Sequence, residues 1–443
     1  MDLQETPPSS TLALYARLLL VAQKNLLLVG APGVGKTRLA RLISRRLNKK
    51  SIEPILIVGR DGLTFDYLML HYVLGEDGKP IEVLGDLAKA IISSWIMIIS
   101  NLGVRELVFD EVNRCNVELV LGDIFTALDI EHRGSIPVIK GRIYNKVAQM
   151  MSKDRIDSLK QELGLEDIDI EDNALSRLKE FFKRVGGITL PFSFRIIATM
   201  NMYDRAQLYR LGYAMQRRFA VLYMPTLFEK IKVKPVNKSS VDEAVNEIVK
   251  KEKIEDKPVY KALIDKDSLV VRQALRELYI DEEQGITYDF EDYPMIIKPP
   301  PREVLENELG NILQRYASTA SALVAYTYSK VQEMGLEIGV SVLVDAVKVY
   351  VAPLLSSTDT EPVIDASELA DLVLSSLVIP QLSVVIPRVR SELLLAGTFE
   401  SSTKTAKLLK KYINEIKSIL GNDSLSARLL EGYVGELPGL STS

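Results

Sequence analysis

Short runs of consecutive apolar residues alternate with longer segments of helical periodicity in the first half of the chain. Each run has the length and the β-branched or aromatic content of a buried strand. Apolar strands that are separated by helices are typical of a parallel sheet covered by helices on both faces. We therefore predict an α/β core, with strands at 25–30, 54–58, 106–110, 195–200 and 219–224.

Two segments interrupt this alternation. Residues 61–82 contain several glycine and proline turn signals and are predicted to form an inserted helix or hairpin. Residues 152–185 are charged and have helical periodicity, so we expect helices that project from the sheet. The most apolar window, 90–104, contains serines and an asparagine and is too short to span a bilayer, which favours a buried helix.

The pattern becomes predominantly helical after about residue 226. Residues 302–334, 340–351 and 364–378 have helical periodicity, and an apolar stripe at 408–420 indicates another helix. Residues 253–301 are rich in charge, tyrosine and proline, and we treat them as an insertion of undefined structure. The predicted domains are accordingly an α/β core at 1–225 and a helical lid and C-terminal domain at 226–443.

Composition gives little direction about partners. The 55 lysines and arginines nearly balance the 59 aspartates and glutamates, and the formal charge of -4 gives no global attraction to nucleic acid or an acidic membrane. The single cysteine, Cys115, excludes an intrachain disulfide framework and fits a reducing compartment. Because the start of the chain also lacks the pattern of a secretory signal, we expect a cytoplasmic protein without membrane contact.

The motif GAPGVGKT at 30–37 fits the phosphate-loop pattern GxxxxGK[ST] and lies between a predicted strand and an amphipathic helix. Glycines allow backbone N–H groups to surround phosphates, and the helix N-terminus adds a partial positive charge. Lys36 would contact the β and γ phosphates and Thr37 would ligate Mg²⁺. The candidate nucleotide-binding residues here are Gly30, Ala31, Pro32, Gly33, Val34, Gly35, Lys36, Thr37 and Arg38.

Two acidic residues follow the predicted strand at 106–110. Asp110 lies at the carboxyl end of that strand, where parallel sheets bind ligands, and is a candidate to hold Mg²⁺ through water. Glu111 is then placed to orient and deprotonate an attacking water. A strand that ends in Asp-Glu is often only a solvated strand end, but its position after a phosphate loop favours a functional role.

Polar residues near the last two predicted strands complete the candidate site. Asn201 follows an apolar strand at the same edge of the sheet and could hold the attacking water, although an asparagine in an ordinary turn is the alternative. Arg217 and Arg218 follow a helix-like stretch. Paired arginines are usually surface charge, but they could also enter a neighbouring subunit's site and neutralise charge in the transition state.

Together, GAPGVGKT, DEVNRCN, ATMNMYDRA and AMQRRF resemble the AAA+ branch that contains McrB, the MoxR ATPases and the dynein-related ATPases. The resemblance implies a P-loop core with sheet order 5-1-4-3-2, followed by a helical lid. It also implies Walker A at 30–37, Walker B at Asp110 and Glu111, sensor 1 at Asn201 and arginine fingers at Arg217 and Arg218. Because DEVNR is closest to the McrB type, Asn113 and Arg114 become further site candidates.

The same resemblance implies a homo-oligomeric ring, usually a hexamer, with each site shared by two protomers. The segment 61–82 corresponds to the helix-two insert of this branch, and 152–185 enlarges the hairpin that precedes sensor 1. The MoxR lid motif with the sensor 2 arginine is replaced here by Gly339-Val340-Ser341-Val342-Leu343, so sensor 2 is missing or is replaced by Arg302 or Arg388.

McrB, which uses GTP, has Asn-Thr-Ala-Asp at sensor 1, whereas here Asn201 begins Asn-Met-Tyr-Asp. We therefore expect ATP rather than GTP, with Mg²⁺. The leading hypothesis is a MoxR-like chaperone that remodels a protein or a protein–nucleic-acid complex, with an unidentified protein partner and only indirect contact with nucleic acid. The first alternative is an McrB-like motor that drives a nuclease or DNA translocation. The second, of another class, is a nucleotide-loaded scaffold with little turnover.

Overall fold

The computed structural model describes residues 7–201, 213–226, 238–279, 302–355, 364–384, 386, 389, 391 and 404–434 of the 443-residue chain. The chain divides into two compact units. One lies within residues 1–34, 201–278 and 299–443, and the other within residues 35–200 and 279–298. The strands of the described residues are β1 (Asn25–Gly30), β2 (Ile55–Val58), β3 (Leu70–Leu74), β4 (Pro80–Leu84), β5 (Leu107–Asp110), β6 (Pro137–Ile139), β7 (Ile188–Thr189), β8 (Ile196–Asn201) and β9 (Phe219–Met224).

The central feature is a five-stranded sheet with strand order β2-β5-β8-β1-β9. Strand β1 runs parallel to β9, and β5 runs parallel to both β2 and β8. Counted along the chain and read from β9, this is the predicted order 5-1-4-3-2, which is thereby confirmed. The predicted strands agree with the observed ones to within one residue at each end. Every residue of β1 and β9 is buried, which explains why these runs are apolar throughout.

Register in the sheet fixes where the polar residues emerge. Val58, the last residue of β2, pairs with Asp110, the last residue of β5. Phe109 pairs with Ala198, so β8 extends beyond β5 at the carboxyl edge. Side chains that follow these strands therefore meet at one edge of the sheet, as expected for parallel strands.

The unit at 35–200 carries the predicted insertions as well as the core helices. Residues 61–82 contain both a helix and a hairpin, since Thr64 caps a short helix through the N–H of Tyr67 and the chain then forms the antiparallel pair β3–β4. The helices of this unit are α2 (Lys36–Arg46), α3 (Phe65–Met69), α4 (Asp86–Ile99), α5 (Val117–Leu121), α6 (Asp123–Ala127), α7 (Gly141–Met150), α8 (Ile156–Leu163) and α9 (Asp172–Val185).

The second insertion is helical, as predicted, and it lies between the antiparallel strands β6 and β7. Both α8 and α9 pack against α4, and the expectation that the insertion projects from the sheet stays a prediction. Trp95 of α4 is fully buried against the rings of Phe181 and Phe182 of α9, and its indole N–H donates to the carbonyl oxygen of Thr189 at 2.7 Å. The apolar stripes of these helices are thus covered within their own unit.

The other unit is predominantly helical. Its helices are α1 (Pro7–Val21), α10 (Tyr213–Arg218), α11 (Lys238–Lys251), α12 (Pro258–Ile264), α13 (Leu269–Leu278), α14 (Arg302–Asn311), α15 (Ser318–Glu333), α16 (Val340–Leu355), α17 (Ala366–Val373), α18 (Lys404–Leu420) and α19 (Leu425–Val434). The segment 253–301, predicted without defined structure, is helical in its first part, since α12 and α13 lie there; residues 280–301 lie outside the described residues.

Local sequence explains where α17 begins in this unit. Asp365 and Glu368 form a reciprocal capping box at the start of α17. Buried residues of α15 and α17 pack together, and α13 packs against α16. Among the described residues, none of the helices combines the length and the apolar character that a membrane crossing requires. The predicted domain boundary near residue 225 stays a prediction.

Candidate active site

The phosphate loop connects β1 to α2 in the predicted strand–loop–helix order. A Cβ atom on Gly30 would lie 2.5 Å from the carbonyl oxygen of Met224 in β9, so a side chain would not fit there. Gly33 and Gly35 have φ values of 79° and 90°, the left-handed region that glycine adopts without strain. The three glycines therefore serve close strand packing and the curvature of the loop. Helix α2 begins at Lys36, directly after this curve.

The first turn of α2 presents the groups that a phosphate needs. Backbone N–H groups of a first helical turn have no acceptor within the helix and carry its positive dipole end. The Lys36 side chain is buried, and burial lowers its pKa, although the charges of Asp110 and Glu111 oppose this shift. Within the loop, Pro32 and Gly33 are exposed, whereas Ala31 and Val34 are half-buried, and Arg38 is exposed on α2.

Hydrogen bonds join the phosphate-loop threonine to the end of β5. The hydroxyl of Thr37 donates to Asp110 Oδ1 at 2.7 Å. The hydroxyl of Thr199 in β8 donates to the same oxygen at 2.5 Å and accepts the N–H of Glu111 at 3.0 Å. Thr199 is not among the residues that the sequence motifs single out, and the one available signal is a hydroxyl within an apolar run, two residues before Asn201.

The residue after Asp110 adopts an unusual backbone conformation. Glu111 has φ of 51°, in the left-handed region that non-glycine residues rarely occupy. Gly59, which follows β2, donates its N–H to the carbonyl oxygen of Asp110 at 2.8 Å, and a Cβ atom there would lie 2.3 Å from the carbonyl oxygen of Glu111. The sequence motifs do not single out Gly59 either, and its lack of a side chain permits the left-handed turn at Glu111.

The residues of the DEVNR motif have separate positions. Arg114 forms an ion pair with Glu111 at 2.8 Å and is more than half exposed. Asn113 is half-buried in the 3-10 turn Val112–Arg114. Asn116 caps α5 by accepting the N–H of Leu119 at 3.3 Å, so its role here is at least structural. Arg114 thus contacts Glu111 of the acidic pair directly.

The remaining predicted site residues lie around β8 and β9. Asn201 is half-buried and is the last residue of β8. Arg217 and Arg218 end α10, immediately before β9; Arg217 is exposed and Arg218 is half-buried. Residues 202–204 and Arg388 lie outside the described residues. Arg302, considered in place of sensor 2, pairs with Glu306 of its own helix at 2.9 Å.

A phosphate loop whose threonine contacts the acidic end of another strand of the sheet is the geometry that a P-loop nucleotide site requires. Residues 25–219 match the AAA domain of the dynein-related subfamily. The match extends from β1 to the first residue of β9. It supports an AAA+ ATPase, which is the general part of the resemblance stated from the sequence motifs. The search among curated proteins found no significant match to this chain.

The oxygen donors at the phosphate loop and the end of β5 fit magnesium. Mg²⁺ prefers oxygen ligands, and nucleotide sites hold it with few protein groups, several waters and the phosphates themselves. Thr37 Oγ1 and Asp110 Oδ1 are two such oxygens within 2.7 Å of each other. In the part of the chain that the structure describes, no group of three or more His, Cys, Asp or Glu side chains is arranged to hold a metal ion.

Proposed function

We propose that this chain hydrolyses ATP with Mg²⁺ as a subunit of a ring, and that hydrolysis remodels a protein or a protein–nucleic-acid complex. The AAA match supports an ATP-dependent motor in general. The observation that carries the catalytic part is the hydrogen bond between Thr37 and Asp110, with Glu111 next to Asp110 in the chain.

Each site residue has a defined task in this proposal. The amides around Lys36 and its ammonium group bind the β and γ phosphates, and Thr37 and Asp110 hold the metal side of the site. When bound, Mg²⁺ supplies positive charge that neutralises the phosphates. Glu111 accepts a proton from the attacking water. The hydroxyl oxygen of Thr199 fixes Glu111 by accepting a hydrogen bond from the backbone N–H of Glu111. Asn201 orients the water, while Arg217 and Arg218 act on the site of the neighbouring protomer.

Arg114 is a further part of the proposed mechanism. Its ion pair engages the carboxylate of Glu111, the proposed general base, at 2.8 Å. Since Arg114 is largely exposed, the pair can open at little cost. Asn113 and Arg114 are therefore proposed to control when Glu111 faces the water.

Phosphate release by the purified chain tests the catalytic assignment. We expect the Glu111→Gln variant to bind ATP as wild type does and to hydrolyse it at least about a hundredfold more slowly, because the general base is removed. Glu118→Gln, an exposed carboxylate seven positions along the chain, is the matched control and should keep the wild-type rate. Equal, near-zero rates for wild type and Glu111→Gln would favour the alternative of a nucleotide-loaded scaffold.

Exposed apolar side chains favour a protein as the substrate or partner. The β3–β4 hairpin presents Tyr72, Leu74 and Ile81 with exposed fractions of 55%, 80% and 50%. The pairing of Val73 with Ile81 places Ile81 on the face of the hairpin opposite Tyr72 and Leu74, and exposed apolar surface of this kind commonly marks a site of protein contact. The hairpin corresponds to the helix-two insert of the AAA+ branch that the sequence resembles, so we propose that it contacts the remodelled protein.

Stimulation experiments separate this proposal from an McrB-like motor. We expect an unfolded polypeptide probe to raise the hydrolysis rate of wild type and to have less effect on a Leu74→Ser, Ile81→Ser variant. A stimulation by DNA that weakens with increasing salt, with no response to polypeptide, would instead favour the DNA motor. Parallel assays with GTP test the preference for ATP, and we expect GTP to be hydrolysed at the lower rate.

A further inference from the structure

A buried chain of alternating charges reaches the backbone of the arginine pair. The ammonium group of Lys24 lies 2.5 Å from the carbonyl oxygen of Arg217 and 2.6 Å from Asp345 Oδ2 in α16. Asp345 Oδ1 in turn lies 2.8 Å from the ammonium group of Lys348, which lies 2.7 Å from Glu277 Oε2 in α13. We name Lys24, Asp345, Lys348 and Glu277 the charge relay.

The start of β1 holds both arginines by their backbone. Next to Lys24, the Asn25 side chain donates to the carbonyl oxygen of Arg218 at 3.1 Å. Two consecutive carbonyl groups at the end of α10 therefore accept hydrogen bonds from two consecutive side chains. A cation at this position also interacts favourably with the negative end of the helix. The Arg217 side chain itself remains exposed.

The location of Lys24 is fixed by the end of α1. Gln23 adopts φ of 64°, and the N–H of Lys24 donates to the carbonyl oxygen of Leu19 at 3.1 Å, which ends the helix and turns the chain into β1. The Gln23 side chain also donates to the backbone carbonyl of Glu277 at 3.0 Å. Lys24 therefore sits where α10, α13 and α16 all approach the start of β1.

Burial makes the members of the charge relay depend on one another. Lys24, Asp345 and Lys348 are each less than one-tenth exposed. Burial raises the pKa of Asp345, but the charges and hydrogen bonds of Lys24 and Lys348 outweigh this effect and hold its pKa below its usual value. Breaking one buried pair leaves an uncompensated charge, so α16 cannot move away from Lys24 without the whole relay rearranging.

We propose that Lys24 is a positioning residue through which α16 sets the location of Arg217 and Arg218, and thereby the rate at which they promote hydrolysis in the adjacent protomer. The inference rests on the proposed role of these arginines. It assigns the relay a regulatory task, because a displacement of α16 is passed to the end of α10 through one ammonium group. The phosphate loop of the same chain is not expected to change.

Rates of ATP hydrolysis by full-length variants test this inference. We expect Lys24→Met to bind a fluorescent ATP analogue with an affinity within about threefold of wild type and to hydrolyse ATP at least about tenfold more slowly. The double variant Lys24→Met, Arg217→Ala should be no slower than Arg217→Ala alone, since both changes remove the same contribution. Additive losses would overturn the proposal, because they would indicate a separate effect of Lys24 on folding or on the phosphate loop.

Lys330→Met is the matched control. Lys330 is a buried lysine of α15 that pairs with Glu252 and Glu333, and neither carboxylate belongs to the charge relay. Its loss should lower stability as the loss of Lys24 does, yet leave the hydrolysis rate per folded protein unchanged. An equal loss of hydrolysis in both variants would reduce the role of Lys24 to stability. Should Lys24→Met fail to fold, Asp345→Asn breaks the same relay with a side chain of equal size.

Subunit mixing gives a readout that a purely structural role would not change. Lys24→Met keeps its phosphate loop, whereas Lys36→Ala keeps its arginines, so a mixture of these two impaired chains should hydrolyse ATP faster than either chain alone, at sites that they share. No recovery, in a mixture where Arg217→Ala and Lys36→Ala do recover, would overturn the inference alone. Full activity of Arg217→Ala by itself would instead refute the proposed role of the arginine pair.

Discussion

At the carboxyl end of β5, one oxygen of Asp110 accepts hydrogen bonds from both Thr37 and Thr199. Thr199 also accepts the N–H of Glu111, so a single buried hydroxyl fixes both members of the acidic pair. The sequence makes Asp110 and Glu111 candidates through their position after a strand. It gives Thr199 no such signal, because its importance comes from the pairing of β8 with β5.

Replacing Thr199 with valine keeps the volume of the side chain but removes its hydrogen bonds. We expect Thr199→Val to hydrolyse ATP at least about tenfold more slowly and to lose about 1–3 kcal/mol of stability, because the N–H of Glu111 loses its buried acceptor. Phosphate release and urea unfolding measure the two effects. Thr189→Val is the control: Thr189 is buried, its hydroxyl has no hydrogen-bond partner among the described residues, and neither quantity should fall.

Gly59 permits the turn at Glu111, as the close approach of their backbones indicates. We expect Gly59→Ala to bind nucleotide but to hydrolyse it at least about tenfold more slowly, because the added methyl group displaces Glu111, the proposed general base. Gly310→Ala provides the comparison, since a Cβ atom there meets no described atom within 4 Å and a helical alanine should add about 0.5–1 kcal/mol of stability. A wild-type rate for Gly59→Ala would contradict the predicted role of this approach.

Glu106, which precedes β5, gives stability a specific pH dependence. Burial raises its pKa to about 8, against the opposing effects of the Arg195 N–H and of the charges of Arg195 and Arg133. A carboxyl group with a raised folded-state pKa stabilises the protein fully at low pH, and this contribution is lost as pH rises through that value. Between about pH 5 and 8, wild type should therefore lose more than about 1.4 kcal/mol relative to Glu106→Gln. Urea unfolding across this range is the measurement, and parallel curves for the two proteins would refute the expectation.

Among the helices and strands, the insertion formed by α8 and α9 shows what helical periodicity can predict and what it cannot. The apolar stripes of α8 and α9 predict helices, and both helices are present. Their partner could not be predicted, since any complementary apolar surface would satisfy the same stripe. The structure gives that partner as α4, whose Trp95 ring lies 5.4 Å and 5.6 Å from the ring centroids of Phe181 and Phe182.

The packing of α9 on α4 predicts a large loss on truncation. Phe182→Ala should lower the free energy of unfolding by about 3–5 kcal/mol, because a fully buried ring is replaced by a cavity. Lys179→Ala, on the exposed side of the same helix, should change it by less than about 0.5 kcal/mol. Similar midpoints of urea unfolding for the two variants would indicate that α9 does not depend on α4.

For the whole molecule, the proposed ring gives the largest observable effect. We expect Glu111→Gln, which retains ATP, to assemble in the presence of Mg²⁺ into a particle of about six times the 49.5 kDa chain mass. Removing Mg²⁺ with a chelator should abolish hydrolysis and shift the particle toward smaller species, because the nucleotide is then held by the phosphate loop alone. Light scattering after size-exclusion chromatography distinguishes these states. A monomer under every condition would refute the shared site.

The sequence by itself determined the local features of this protein. The five core strands, the phosphate loop at 30–37 and the position of Asp110 and Glu111 all follow from short-range patterns, because apolar runs, glycines and strand ends have meaning within a few residues. The resemblance carried by those motifs implied the sheet order, and the structure confirms it.

Only the tertiary structure decided which distant residues meet. Thr199 and Gly59 reach the acidic pair across strand pairings, and Lys24 meets Asp345 across 321 positions of the chain. A lone lysine or threonine has many compatible partners, and the sequence contains no term that selects one of them. Burial makes that selection, because polar groups enclosed in a core must be paired with whichever complementary group the fold brings within reach.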